Sequence, residues 1–90
     1  MTIPGGWTQY KTSISSDAQA AFDEALKGLV GVHYSPIAVA EQIVAGKNYR
    51  FFCNANAVVP NSPNYAAIIS IYKPLSGPAT ISGIQSLDDK

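Results

Sequence analysis

Charge is scarce in this chain: 13% of its 90 residues are charged, six acidic against six basic, and the net charge at pH 7 is zero. A field that weak steers nothing toward a polyanion, so nucleic-acid binding is not expected. Cysteine occurs once, at Cys53, and histidine once, at His33. A single thiol excludes an intramolecular disulfide, and no histidine or second cysteine is spaced with it for a metal. The acids Asp17, Asp23, Glu24, Glu41, Asp88 and Asp89 include no obvious inward-facing pair. With no nucleophile, base or metal set evident, the chain does not read as an enzyme and no cofactor is expected. No apolar run approaches the roughly 18 residues of a membrane-spanning helix. The start, with Pro4, Gly5 and Gly6 directly after Thr2 and Ile3, lacks the basic-then-apolar layout of a signal peptide. A cytoplasmic protein is expected, or one whose signal has been removed.

What is abundant is apolar residues, 47% of the chain. Residues 1–90 read as one domain, long enough to bury roughly 60–65% of the surface its unfolded chain would expose. Residues 1–14 are polar and irregular, with Trp7 to Tyr10 a possible edge strand and Trp7 either packing across the start of a sheet or contacting a partner. A helix is expected over 16–30. Ser16 would cap its free N–H groups, Gln19 would reach back, and Asp17 would add negative charge at the positive end. Ala18, Ala21, Phe22, Ala25, Leu26 and Leu29 repeat at helical spacing and form one apolar stripe, which Gly28 or Gly31 ends.

Four extended segments follow, 32–44 with a break at Pro36, 47–57, 65–72 and 79–85, and residues 87–90 read as a frayed tail. Tyr49, Phe51, Cys53 and Ala55 alternate with polar or outward residues, as do Ala67, Ile69 and Ile71, so each strand has one buried face. Cys53 falls on that face, where it behaves as a small hydrophobe. His33 is expected to be partly exposed just before a strand. A helix stripe that needs a surface and a sheet face that needs a cover predict an α+β fold, one helix across a four- to five-stranded antiparallel sheet. The stripe is expected to cover the concave side fully, leaving little room for a ligand pocket.

One reversal stands out. The chain must turn between the segments around Val39 and Phe51, and Gly46 is the residue there that tolerates a positive φ. That puts Ile43, Val44 and Ala45 near a tip where Asn, Asp, Gly or Ser is the norm. Either these side chains fold back onto the core, or the turn is a binding loop.

Gln42-Ile43-Val44-Ala45-Gly46 resembles the Gln-x-Val-x-Gly hairpin of the cystatins, and Asn48-Tyr49 looks like its continuation in the disulfide-free stefin branch. Ile3-Pro4-Gly5-Gly6 resembles the stefin N-terminal trunk, Ser16-Asp17-Ala18-Gln19 stands where their helix begins, and residues 71–77 lie where their second hairpin falls. The likeness runs from about Ile3 to about Gln85. The sequence departs from it in a shorter stretch between Gln19 and Gln42, in a proline-containing loop over 58–64, and in Pro74-Leu75-Ser76-Gly77. That last segment has neither the Pro-Trp of secreted cystatins nor the stefin Leu-Pro-Gly order.

The resemblance implies reversible inhibition of papain-like, cathepsin-type cysteine proteases, in which trunk and hairpins form an apolar wedge that fills the active-site cleft. Carried over by residue, the wedge comprises Pro4, Gly5 and Gly6, then Gln42, Ile43, Val44, Ala45 and Gly46, then Pro74 and Leu75. It also implies a monomer able to exchange halves as a domain-swapped dimer by opening the first hairpin. The alternative keeps the fold and docks the same apolar edge on a non-protease partner.

Overall fold

A computed structural model describes residues 6–87 of the chain. One helix, α1 (Ser16–Leu26), precedes four strands, β1 (Val32–Val44), β2 (Gly46–Ala57), β3 (Tyr65–Lys73) and β4 (Thr80–Ser86). The strands form a single antiparallel meander in the order β1-β2-β3-β4, with α1 packed against one face. This is the α+β arrangement that the strand alternation and the helix stripe predict. Among the described residues, Trp7 to Tyr10 do not form a fifth strand. The N-terminal segment meets β1 through two isolated antiparallel bridges, Trp7 with Gln42 and Lys11 with Val39.

The helix starts one residue earlier in its capping than expected. Ser15, in extended conformation, is the cap, and its Oγ accepts from the Ala18 N–H at 3.1 Å. Ser16 is already inside the helix, and the Gln19 amide donates to Asp23 at 2.9 Å rather than reaching back. The helix also stops short of residue 30. Lys27 leaves the helical region, and Gly28 follows with φ +86°, a left-handed geometry that glycine adopts without a Cβ penalty. Leu29, assigned to the stripe by its spacing, therefore lies beyond the last turn and is 41% exposed.

Eleven residues of helix leave a small contact face, made of Ala18, Ala21 and Phe22 with Ala25 and Leu26 at its margin. Phe22 is the large one. Its ring meets that of Phe51 edge-on with centroids 4.8 Å apart, and Tyr49 flanks Phe51 at 5.7 Å. Edge-on aromatic pairs add about 0.5–1.5 kcal/mol beyond area burial. Tyr49, Phe51, Cys53 and Ala55 on β2 and Ala67, Ile69 and Ile71 on β3 are all buried, so period two holds along both central strands. On β1 the register slips between Pro36 and Ala38, leaving Ile37 as an exposed extra residue. Proline lacks the N–H that a regular ladder needs, and a bulge on an outer strand absorbs it. His33 is exposed, within β1 rather than ahead of it.

The connections sort by pole. The β1–β2 turn at Ala45 and the β3–β4 turn over 74–79 share one end of the sheet, because Lys47 faces Lys73 in the β2–β3 register. The proline-containing loop over 58–64 joins β2 to β3 at the other end, held there by the Asn56 amide donating to the Ser62 carbonyl at 3.2 Å and to Asn64 at 2.8 Å. No helix among the described residues is long and apolar enough to cross a membrane.

The capping assignment makes a direct test. Ser15→Ala should lower the unfolding free energy by about 1 kcal/mol in urea titration, whereas Ser16→Ala should change it by less than about 0.5 kcal/mol.

Candidate functional site

From Ala38 onward the pairing of β1 with β2 runs without interruption up to Val44 opposite Gly46, so a single residue, Ala45, makes the turn. Gly46 takes φ +103°, the left-handed geometry that so tight a reversal requires. Ile43 and Val44 belong to the end of the strand rather than to the loop, and they stay out of the core, 44% and 40% exposed. These side chains do not fold back into the buried core.

The second turn sits directly against the first. A Cβ on Gly46 would collide with the Lys73 carbonyl oxygen and stand 2.9 Å from the Pro74 Cα and 3.1 Å from the Leu75 nitrogen. Glycine is thus required twice at this position, for its φ and for the approach of a neighbouring backbone. Leu75 is 83% exposed at the tip of its turn, and Pro74 is half-buried. The Tyr72 hydroxyl donates to the Ala45 carbonyl, tying the end of β3 to the first turn.

The N-terminal segment approaches the same pole. Thr8 N–H donates to the Glu41 carbonyl at 2.8 Å, and the Thr8 hydroxyl accepts from the Glu41 N–H at 2.9 Å. Followed backwards from Lys11 to Trp7, the segment runs antiparallel to β1 and toward its hairpin, with Gly6 half-buried at its described end. Pro4 and Gly5 lie outside the described residues. Gly6, Gln42 to Gly46, Pro74 and Leu75 are accordingly gathered at one end of the molecule. Trp7 does not enter the core: its ring lies on the outer face of the sheet with the Arg50 guanidinium 4.1 Å from its centroid, within cation–π range.

Polar contacts frame the hairpin. The Asn48 amide donates to Gln42 Oε1 at 2.8 Å across the strand pair, and Lys47 pairs with Glu41 at 3.3 Å. Burial alone would lower the Lys47 amine, yet the facing Glu41 carboxylate and the charges around it leave it raised above its ordinary value. Both partners are partly exposed, so the pair contributes at most about 1 kcal/mol.

Behind the hairpins the helix does not cover the sheet completely, contrary to the expectation from the stripe. A groove of about 830 Å³ opens between Asp17, Ala20, Ala21 and Glu24 of α1 and the inner sides of Ile43, Val44 and Leu75. The reason is the alanines: the first turns of α1 present methyl groups where a longer side chain would have filled the gap. Glu24 closes one side by accepting from the Ala79 N–H at 2.9 Å.

Cys53 stands apart from this pole. Its side chain is fully buried in the core, and burial pushes the thiol up to about 12. Among the described residues, no group of three or more His, Cys, Asp or Glu is placed to hold a metal ion. The pole presents the apolar side chains of Ile43, Val44 and Leu75 beside the Gln42–Asn48 amide pair, the Lys47–Glu41 ion pair and the Tyr72 hydroxyl.

Two features of the site lie beyond sequence reasoning. The groove depends on how far the helix reaches, and the Tyr72 contact depends on the β2–β3 register. No family model, curated protein or solved structure matches the chain.

A raised thiol has a clear signature. Stability owed to the protonated, buried Cys53 is full below about pH 9.0 and is lost as pH climbs toward about 12. At pH 8 native protein should react with a disulfide reagent at least about 100-fold more slowly than urea-unfolded protein, read by thiol-release absorbance.

Proposed function

We propose that the chain is a stefin-like, cystatin-fold inhibitor of papain-like cysteine proteases, acting reversibly by filling the active-site cleft. The observation that carries this reading is the exposed Ile43–Val44 tip, braced by Gly46 against the Lys73–Leu75 backbone at the pole where the N-terminal segment also arrives. An apolar tip of this kind serves a cleft well. Its side chains are outside the core, so burying them against cleft walls removes apolar surface from water, at about 25 cal/mol per Å². Ile43 and Val44 are already paired across the hairpin with Lys47 and Gly46, so less conformational entropy is lost on docking than from a free loop. The Gln42 to Gly46 pattern, with Asn48-Tyr49 after it, supports the same assignment from the sequence side.

In this mechanism the protein performs no chemistry. Ile43 and Val44 would enter the cleft and Leu75 would contact its far wall, while Pro4, Gly5 and Gly6 would lead the N-terminal segment past the catalytic thiolate without offering a peptide bond in cleavable geometry. The Gln42–Asn48 amide pair stiffens the root of the hairpin. No partner nucleic acid, membrane or cofactor is invoked. A monomer is sufficient.

A second reading retains the cystatin-like fold and directs the same edge to a non-protease protein. The observation favouring it is the turn at Pro74-Leu75-Ser76-Gly77, whose Leu75 side chain is 83% exposed.

Titration of papain with the purified protein separates the two. Inhibition at nanomolar to micromolar concentration is expected, and Val44→Asp should weaken it by about 30-fold or more, the value of one hot-spot side chain of about 2 kcal/mol. The urea midpoint of that variant should stay close to wild type because the position is exposed. Full activity of every papain-type enzyme tested would exclude the inhibitor reading.

A further inference from the structure

The second turn meets the first hairpin through its backbone and through the strand that leads into it, while its leucine is left 83% exposed. Three contacts make the junction. Gly46 is packed so closely on Lys73 to Leu75 that a methyl group has no room there. The Tyr72 hydroxyl donates to the carbonyl of Ala45, the single residue of the β1–β2 turn. The Lys73 ammonium in turn donates to the Gly77 carbonyl and holds its own turn closed.

Each contact matters because the tip has few constraints of its own. Ala45 has no cross-strand partner, and Ile43 and Val44 are only half covered. A turn made of one residue followed by a left-handed glycine has other conformations available to it, since glycine populates positive and negative φ about equally. In register, Tyr72 faces Asn48, so its side chain must lean along the strand to reach Ala45. Strand side chains do lean in this way.

We propose that Tyr72, together with the Lys73–Leu75 backbone beneath Gly46, latches the first hairpin in one conformation, making Tyr72 a positioning residue for the edge. The second hairpin thereby contributes to binding chiefly through the shape it imposes on the first. The statement about the tip stands on the contacts alone; its effect on protease affinity rests on the inhibitor reading above.

The test uses the full chain and three proteins: wild type, Tyr72→Phe and Leu75→Ala. Amide hydrogen exchange is followed over residues 43–47 and, as an internal control, over the buried stretch of β3. Tyr72→Phe keeps the ring and removes one hydrogen bond, so tip exchange should accelerate about 3- to 10-fold while β3 exchange and the urea midpoint hold. Leu75→Ala should leave tip exchange at the wild-type rate. Unchanged tip exchange in Tyr72→Phe overturns the latch, and so does acceleration in Leu75→Ala equal to that in Tyr72→Phe. The same three proteins are titrated against papain. If wild type inhibits, Tyr72→Phe should weaken inhibition about 3- to 10-fold, and an unchanged inhibition constant with faster tip exchange overturns the positioning role. If wild type does not inhibit, the inhibitor reading fails, and the exchange data alone decide the latch.

Discussion

Phe22 is the only large side chain that α1 buries in the interior, and the packing of one short, alanine-rich helix on a broad sheet depends on it. Its edge-on contact with Phe51 fixes where the helix crosses, since Phe51 is itself fully buried at the centre of β2 between Tyr49 and Cys53. A helix with only one such anchor cannot cover the whole face. The core is therefore dense around Phe51, Ile69 and Ile71 and thins toward the hairpin pole, where methyl groups on α1 face the groove. The exposure of Ile43 and Val44 follows from the same shortage: no element reaches far enough to bury them. Core architecture and candidate site are thus two outcomes of a single packing constraint.

The hairpin pole gains its order from the sheet rather than from the helix. Consecutive antiparallel strands bring both turns to one end, and the β2–β3 register puts Lys47 opposite Lys73. Gly46 can then lie on the Lys73 carbonyl, which couples two loops that are almost thirty positions apart in sequence through main-chain atoms. Backbone contact of this kind is insensitive to which side chain follows Pro74. A turn with another side chain in place of Leu75 would still support its neighbour.

Strand positions were legible because period two is strict on β2 and β3, and because Gly, Pro and Asn mark the breaks; each of the four segments was read to within a residue. The tip glycine was legible too, for a tight reversal leaves few residue types possible. Helix ends were not. Ser15 and Ser16 are equivalent as caps until the backbone shows which one is extended, and Leu29 keeps helical spacing although Gly28 has already turned the chain. Among its described residues the N-terminal segment makes bridges at Trp7 and Lys11 only, a pattern with no periodicity to read. Long-range features such as the groove and the Tyr72 contact require knowing how far elements reach and in what register they pair, which no local pattern encodes.

The proline-containing loop over 58–64 has a practical consequence. It sits at the pole farthest from Ala45, with Asn61 in left-handed geometry and the ends of β2 and β3 pinned by Asn56. Lengthening a surface loop raises its closure entropy only slowly, by about 0.6 kcal/mol for each doubling. A reporter, affinity handle or surface tether inserted there would point away from both hairpins, so the molecule comes with a built-in direction of display.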